Sequence, residues 1–375
     1  MKRPTLLVDS DLRIPAALQA CCDDIIAVPG REISSTHLSG IDALWVRSVT
    51  PINRELLTDS AVRFVGTATA GTDHLDTAWL ASAGICYASA PGCNANAVVE
   101  YVLSVLTVTG RLEAVMAGAE VGIVGLGQVG SRLARAMLAL GASVKAYDPF
   151  VTNCPDGVLR ADLPDVLGSP IVTLHAALHS DSQFPSLGMI DEAAADLLPA
   201  GGLLINAGRG GLVTVDALAS LISNDVDLVL DTWPEEPAVA GALLEEVLLA
   251  SPHIAGYSEQ TRDRGPGLLL SPFCDYFDLP APEPWKVEGD FSAAMGMEEL
   301  SVTSLTEALL NAFDPRVVDK QVRAQACPDV AASAFDQLRR NFGPRNELAA
   351  QLSVDDLIEQ SIDKVLGRLA SHVRS

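Results

Sequence analysis

The sequence predicts an α/β protein with two parallel sheets, followed by a mainly helical C-terminal region. Short apolar runs alternate with helical stretches as far as about His253, and such alternation gives parallel strands joined by right-handed crossovers. A glycine-rich turn that begins at Gly125 lies between an apolar run and a helical stretch. Beyond a proline-rich segment at 279–284, apolar residues recur at helical spacing.

The length of the chain bounds the number of domains. With 375 residues it is too long for one small core, and its 49% of apolar residues can fill several cores. We predict a first unit at residues 1–95, completed by 258–279, and a second unit at 96–257. Residues 285–375 are predicted to form a separate helical domain.

The composition limits the possible partners. The chain has 25 Lys and Arg residues against 48 Asp and Glu residues, which gives a formal net charge of −23. Such a surface repels the phosphates of nucleic acids and anionic lipids, so we expect neither nucleic acid nor a membrane as a partner. The seven cysteines are odd in number and lack metal-ligand spacing, which favours free thiols in a reducing cytoplasm.

The first unit contains four predicted strands, each followed by polar or small residues. They are residues 5–8, 43–46, 64–67 and 85–88. From residue 94 to 110 the pattern becomes helical, with one apolar face made by Val98, Tyr101, Val102 and Val105. This helix is expected to lead into the second unit.

The second unit opens with an apolar strand at 121–125 and continues as strand, helix, strand. Its further predicted strands are residues 143–147, 171–175, 202–206 and 226–231. A helix is predicted to return after Gly256, and the prolines at every second position of 279–284 indicate a stiff linker. The tail beyond it is predicted to be mainly helical, with one apolar face made by Leu305, Leu309 and Phe313.

The glycine-rich turn predicts a dinucleotide site of the Rossmann type. It has the spacing Gly-x-Gly-x-x-Gly after a strand, and the next strand ends at Asp148, 18 residues beyond Gly130 and close to the roughly 20 expected. The first glycine permits the tight turn, the second lets the backbone approach a pyrophosphate, and the third lets helix and strand pack closely. The helix N-terminus then faces the phosphates. The predicted cofactor residues are Gly125, Gly127, Gln128, Val129 and Gly130.

The residue at the end of the second strand selects the cofactor. Asp148 can accept hydrogen bonds from both ribose hydroxyls and would repel a 2′-phosphate. Pro149 and Phe150 follow it, so the adjoining sequence offers no arginine for that phosphate. The sequence therefore predicts NAD rather than NADP.

Three chemically reactive residues follow the turn in the order Arg209, Glu236 and His253. Arg209 comes just after the strand 202–206, at the edge where ligands bind in open α/β sheets. A cation can hold a carboxylate and polarise a carbonyl oxygen, an imidazole can exchange a hydroxyl proton, and an acid can aim the imidazole. This order predicts hydride transfer at the carbon next to a carboxylate, without a metal.

These segments resemble the D-isomer-specific 2-hydroxyacid dehydrogenases, in which the matching arginine, glutamate and histidine are catalytic. Finer features resemble one branch of that family, whose members oxidise a phosphorylated 2-hydroxy acid. These features are Val46-Arg-Ser-Val-Thr50, the segment 64–74, Ala90-Pro-Gly-Cys-Asn-Ala95, Val98-Val-Glu-Tyr101 and His253-Ile-Ala-Gly-Tyr257. The tail segment 335–347 resembles the dimerisation domain of the same branch, so the resemblance implies a homodimer.

The resemblance also implies substrate contacts. Ser48, Thr69 and Tyr257 would touch an anionic, phosphorylated 2-hydroxy acid, and the wider family usually has a small residue in place of Tyr257. Two alternatives remain open for Arg47, namely a positive charge for the phosphate or a structural ion pair. His74 is expected to be structural.

The cofactor contacts implied by the resemblance lie after the strands of the second unit. They are Asp148, Ala207, Gly208, Arg209, Asp231 and Gly256. The branch usually has a threonine in place of Ala176, so only the backbone of Ala176 is expected to meet the cofactor.

Two other functions remain as alternatives. One is a related dehydrogenase that acts on another 2-hydroxy acid, such as phosphoglycerate, and Tyr257 and the tail segment argue against it. The other is an NAD-sensing binding protein similar to the co-repressors of this fold. The complete set of Arg209, Glu236 and His253 argues against that function.

Overall fold

A computed structural model describes residues 3–180, 182–280, 305–326 and 328–348 of the chain. These residues form two compact units, each built on a parallel sheet, which confirms the predicted α/β class. The first unit comprises residues 3–94 and 258–280, and the second comprises the other described residues. No helix in these ranges has the length and hydropathy of a membrane span.

The first unit has five strands and four helices. The strands are β1 (Thr5–Asp9), β2 (Asp24–Val28), β3 (Ala43–Val46), β4 (Phe64–Thr67) and β5 (Cys86–Ala88). They are parallel and lie in the order β2-β1-β3-β4-β5. The helices are α1 (Ala16–Gln19), α2 (Arg54–Leu57), α3 (Thr77–Ser82) and α11 (Glu259–Tyr276), with 3₁₀ turns at Gly30–Glu32 and Ser35–His37.

Both faces of the first sheet carry buried cores, as expected for parallel strands made of continuous apolar runs. Trp45 and Phe64 pack against Phe273 of α11, with ring centroids 5.6 and 5.7 Å apart. Their sequence neighbours Leu44 and Val65 lie in a separate core, because successive side chains of a strand point to opposite faces. Strand β2 was not predicted, although its apolar run resembles those of the other strands.

The second unit has a larger sheet. Its strands are β6 (Glu120–Val124), β7 (Ser143–Tyr147), β8 (Leu159–Arg160), β9 (Ile171–Leu174), β10 (Leu203–Asn206), β11 (Asp227–Leu230) and β12 (Leu249–Ala250). Its helices before the tail are α4 (Ala95–Val108), α5 (Leu112–Met116), α6 (Gln128–Leu140), α7 (Leu163–Leu167), α8 (Glu192–Ala195), α9 (Val215–Ser223) and α10 (Gly241–Glu246), with a 3₁₀ turn at Gly210–Leu212. Strands β8 and β12 were not predicted, since two residues give no periodic pattern.

The strand order of the second sheet fixes where a ligand can bind. All strands are parallel, in the order β12-β11-β10-β9-β6-β7-β8. The chain runs outward from β6 to β8 and then returns to β9 on the other side of β6. In open α/β sheets, ligands bind outside the carboxyl ends of the strands at such a reversal. The segments that follow β6, β9 and β10 lie at this edge.

The described tail packs within the second unit. Its helices are α12 (Leu305–Ala312), α13 (Pro315–Arg323) and α14 (Ala332–Arg340). Helices α12 and α13 pack on α4, and Leu309 and Val322 are fully buried there. The predicted face of Leu305 and Leu309 is therefore confirmed as helical, whereas Phe313 lies just beyond α12. Most of the predicted linker at 279–284 lies outside the described residues.

Candidate active site

The turn after β6 has the geometry that a dinucleotide phosphate requires. Gly125 has a φ of +93°, and a Cβ there would lie 2.6 Å from the backbone nitrogen of Ala176. A Cβ on Gly130 would lie 1.8 Å from the carbonyl oxygen of Gly125, so the close approach of α6 needs glycine. A Cβ on Gly127, by contrast, would meet nothing within 4 Å. Two glycines therefore permit the turn, and the third opens space at the helix N-terminus.

The first turn of α6 adds donors to this space. Gln128 is exposed and begins the helix, and Val129 follows it half-buried. The first backbone N–H groups of a helix have no partner within the helix, and they favour an anion. The residues predicted to hold the cofactor pyrophosphate thus fit that group.

Asp148 connects the end of β7 to the glycine turn. Its Oδ2 accepts a hydrogen bond from the backbone N–H of Leu126 at 2.7 Å, and its Oδ1 accepts from the N–H groups of Phe150 and Val151 at 2.9 and 3.1 Å. The carboxylate therefore fixes the loop on which a ribose would rest.

An arginine does lie beside Asp148, contrary to the expectation drawn from the adjoining sequence. Arg160 donates from Nη2 to the carbonyl oxygen of Asp148 at 3.2 Å. The sequence did not reveal this contact, because Arg160 reaches β7 only through the pairing of β7 with β8. Asp148, Arg160 and Phe184 line a cavity of about 730 Å³, which lies at this end of the cofactor site and not at the reactive residues.

Arg209 lies in the loop after β10. Asn206 ends that strand and holds the loop, since its amide donates to the carbonyl oxygen of Arg209 at 3.0 Å and its Oδ1 accepts from the N–H of Gly208 at 3.2 Å. The half-buried guanidinium of Arg209 donates to the carbonyl oxygen of Gly208 at 3.0 Å. Ala207, a predicted cofactor contact, occupies the same loop.

Glu236 and His253 form a direct pair. His253 Nδ1 lies 2.6 Å from Glu236 Oε1, and Glu236 Oε2 accepts from the backbone N–H of Trp233 at 3.3 Å. Burial raises the pKa of Glu236, but the hydrogen bond and charge of His253, the Trp233 N–H and the charge of Arg339 bring the pKa below its usual value. An ionised Glu236 assigns the Nδ1 proton to the imidazole, which leaves Nε2 as the proton acceptor.

A buried aspartate shapes the turn that carries His253. His253 has a φ of +56°, and its N–H donates to the carbonyl oxygen of Asp231 at 2.7 Å. The carboxylate of Asp231, 1% exposed, accepts from the hydroxyl of Ser251 at 2.6 Å and from the N–H groups of Ile254 and Ala255 at 2.8 and 3.0 Å. Asp231 was predicted to contact the cofactor. In the structure its carboxylate binds the turn that carries His253.

The tail supplies a second support for this turn, which the sequence did not predict. Arg345 is 3% exposed and donates to the carbonyl oxygens of Ala255 and Ala97 at 3.1 and 2.7 Å. Its guanidinium also lies over the ring of Phe313, 4.4 Å from the centroid. Arg345 belongs to the tail segment 335–347, which the sequence analysis identified. The contacts of Arg345 with Ala255 and Ala97 could not be predicted from the sequence.

We expect Arg345→Met to destabilise the protein by about 3–5 kcal/mol, since it deprives two buried carbonyls of their donor and takes a cation from near buried Glu100. Urea unfolding measures the change. The matched control is Arg340→Met, because Arg340 is exposed, and a surface substitution should stay within about 0.5 kcal/mol. Equal stability of the two variants would show that Arg345 is not a structural support.

The other predicted substrate residues are Tyr257 in the second unit and Ser48 and Thr69 in the first. Tyr257 follows Gly256 in the His253 turn, and its N–H donates to the carbonyl oxygen of Ile254 at 2.8 Å. Ser48 is exposed just after β3. Thr69 follows β4 and shares a hydrogen bond of 2.8 Å with Thr67.

Two further residues of the first unit have structural contacts. His74 Nε2 lies 2.9 Å from the hydroxyl of Thr67, in keeping with its expected structural role. Arg47 forms ion pairs with Asp9 at 2.7 Å and with Asp11 at 2.5 Å. The structural ion pair, one of the two alternatives left open for Arg47, is therefore present.

A comparison with known protein families identifies the part of the chain that matches an NAD-binding domain. Residues 109–255 match the D-isomer specific 2-hydroxyacid dehydrogenase, NAD binding domain. The chain is 38% identical over 357 residues to the erythronate-4-phosphate dehydrogenase of Pseudomonas syringae pv. syringae (strain B728a), covering 92% of this chain and 93% of the relative. It is 37% identical over 382 residues to the enzyme of that name from Proteus mirabilis (strain HI4320), covering 98% and 99%.

Solved structures share the fold. The D-lactate dehydrogenase from Aquifex aeolicus complexed with NAD and lactic acid has a TM-score of 0.59 at 21% identity, over 73% of this chain and 95% of that one. The cofactor (NAD⁺) bound 3-phosphoglycerate dehydrogenase of Entamoeba histolytica has a TM-score of 0.62 at 20% identity, over 77% and 99%.

Proposed function

The chain belongs to the erythronate-4-phosphate dehydrogenase family, and we propose that it oxidises the C2 hydroxyl of 4-phospho-D-erythronate with NAD in the biosynthesis of pyridoxal 5′-phosphate. The products are (R)-3-hydroxy-2-oxo-4-phosphooxybutanoate, NADH and a proton. The observation that carries the proposal is the Glu236–His253 pair, held at the ligand-binding edge of an NAD-binding sheet. Its test is to incubate the protein with 4-phospho-D-erythronate and NAD. NADH and the 2-oxo acid should form in equal amounts, and formation of neither would reject the proposal.

The chemistry divides among three side chains. Arg209 binds the substrate carboxylate and the oxygen at C2, where its planar fork can meet two oxygens. His253 takes the hydroxyl proton at Nε2 and returns it in the reverse reaction. Glu236 accepts the Nδ1–H bond and stabilises the imidazolium that forms. When bound, NAD supplies the acceptor for the hydride that leaves C2.

The binding residues are proposed from the resemblance and the local geometry. Ser48, Thr69 and Tyr257 contact the substrate. The glycine turn holds the pyrophosphate and Asp148 binds the ribose, with further cofactor contacts from Ala176, Ala207, Gly208, Arg209, Asp231 and Gly256. The buried carboxylate of Asp231 leaves a cofactor only the backbone of that residue.

Replacing Glu236 by Gln should move the acid limb of the pH–rate profile for oxidation to lower pH. Oxidation needs neutral His253, and the ionised carboxylate of Glu236 stabilises the protonated imidazole. The charge of His253 is among the causes that lower the pKa of Glu236, and because this coupling is reciprocal the neutral amide of Gln removes a stabilisation of the imidazolium. The control is Glu235→Gln, which makes the same charge change at an exposed neighbour. A limb that moves equally in both variants, or in neither, contradicts this role for Glu236.

Replacing Asp148 by Ala should reduce the preference for NAD over NADP by roughly 10- to 100-fold in kcat/KM. The change removes charge-assisted hydrogen bonds to the ribose diol and the repulsion of a 2′-phosphate, while Arg160 remains nearby. Asp148→Asn keeps an acceptor for the Leu126 N–H and so separates charge from loop support. Comparable efficiency of the unmodified enzyme with NADP would refute the assignment.

We propose a cytoplasmic homodimer assembled through the tail. The resemblance of segment 335–347 to a dimerisation domain supports this assembly. Sedimentation of the full chain should give a dimer, and a monomer at micromolar concentration would reject it. Deletion of 285–375 should cause aggregation as well as loss of the dimer, because the described tail helices cover buried residues of the second unit.

A further inference from the structure

Helix α14 brings an arginine close to the Glu236–His253 pair. Arg339 lies one residue before the end of the helix, and its guanidinium carbon is 5.8 Å from the centroid of the Tyr257 ring. Phe342 packs edge-on against the same ring at 6.1 Å. The charge of Arg339 is among the causes that lower the pKa of Glu236. A cation from the tail therefore stands near the reactive pair.

The surroundings of Arg339 differ from those of three other arginines of the described tail, and Arg339 differs from the exposed Arg340 in being half-buried. Arg316, Arg323 and Arg345 of the described tail each lie beside a carboxylate. Arg339 is half-buried, yet among the described residues no carboxylate forms an ion pair with it, and its buried Nε has no hydrogen-bond partner there. In a chain of net charge −23, a half-buried cation of this kind is suited to an incoming anion.

The proposed substrate carries two anionic groups, a carboxylate and a phosphate, and a cation suits each of them. Arg209 serves the carboxylate, and Arg47 is already paired with Asp9 and Asp11. The guanidinium carbon of Arg339 lies 5.8 Å from the centroid of the Tyr257 ring, a cation–π distance, and a guanidinium in such a contact can still offer a fork of N–H donors to a pair of phosphate oxygens. Tyr257, itself a proposed substrate contact, therefore orients Arg339.

We propose that Arg339 binds the phosphate group of the substrate and so determines specificity for a phosphorylated 2-hydroxy acid. This assignment rests on the proposed function and deepens it. It also gives the tail a second role, since the helix that carries Arg339 becomes part of the substrate site. The competing explanation is that Arg339 only stabilises the tail through its contact with Tyr257.

Steady-state kinetics with 4-phospho-D-erythronate and unphosphorylated D-erythronate separate these explanations. Arg339→Met should lower the ratio of the two kcat/KM values by roughly 10- to 100-fold, mainly through the KM of the phosphorylated substrate, because one charge-assisted contact is lost. Arg339→Lys should restore part of that ratio, since an ammonium keeps the charge without the fork. Arg340→Met, an exposed neighbour, should leave the ratio as in the unmodified enzyme.

Equal losses of kcat/KM for both substrates would show that Arg339 has a structural role only, and an unchanged ratio of the two values would exclude the phosphate contact.

A second experiment tests Arg339 independently of the proposed function. Inorganic phosphate should inhibit competitively against whichever 2-hydroxy acid the enzyme oxidises, and Arg339→Met should weaken that inhibition roughly 10-fold or more. If the unmodified enzyme fails to oxidise 4-phospho-D-erythronate but Arg339→Met still weakens phosphate inhibition, the proposed substrate is wrong and the anion site stands. Unweakened inhibition overturns the site.

Discussion

Replacing His253 by Asn should lower turnover by roughly 10²–10⁴-fold while NAD binding survives. Asn removes the group that exchanges the proton but keeps a side chain that can hydrogen-bond to Glu236. It also suits the backbone, because His253 has a φ of +56° and Asn tolerates the left-handed region better than most residues. The loss should therefore reflect chemistry rather than a disturbed turn.

The measurement is kcat with saturating substrate, together with the dissociation constant of NAD from protein fluorescence. The control is His37→Asn, since His37 is exposed and lies in the first unit. Near-normal turnover of His253→Asn would mean that the proton leaves through another group, and the proposed mechanism would fail.

Replacing Arg209 by Lys should lower kcat/KM by roughly 10²–10³-fold, although the charge is kept. A guanidinium can bind the carboxylate and the C2 oxygen through two parallel N–H bonds, whereas an ammonium presents a point charge. The loss of a donor aimed at the reacting oxygen has a cost of this size in other enzymes. Because that oxygen is common to all 2-hydroxy acids, the loss should be similar for phosphorylated and unphosphorylated substrates.

That equality distinguishes Arg209 from Arg339, which should affect only the phosphorylated substrate. Arg135→Lys serves as the control, because Arg135 is an exposed residue on α6 of the same unit. Activity of Arg209→Lys within a factor of about three of the unmodified enzyme would contradict a bidentate contact.

The features that the sequence predicted correctly are set by local constraints. Gly125 needs a positive φ, and Gly130 must allow the close approach of the Gly125 carbonyl, so both can be identified within a short motif. The strands of the two sheets are buried apolar runs, which pattern alone reveals. The pairing of Glu236 with His253 was predicted from the order of motifs, and the structure brings the two side chains within 2.6 Å.

The features that the sequence did not predict depend on contacts between distant segments. Arg345 reaches Ala97 across 248 positions, and Arg160 reaches Asp148 only because β8 pairs with β7. Asp231 was recognised as a site residue, but its buried bonds to the His253 turn follow from the folded loop. Such contacts leave no periodic pattern in one sequence, because each of these side chains could bind the backbone of many residues.

The most direct test of the proposed activity is a comparison of kcat/KM for 4-phospho-D-erythronate, 3-phosphoglycerate and D-lactate with NAD. We expect kcat/KM for 4-phospho-D-erythronate to exceed that of each other substrate by roughly 10²-fold or more. A site that binds both a phosphate and a carboxylate discriminates strongly against ligands that lack or misplace one of these groups. A higher value for 3-phosphoglycerate or D-lactate would contradict the proposed function. Tight NAD binding without oxidation of any of the three would contradict the assignment as a dehydrogenase of 2-hydroxy acids.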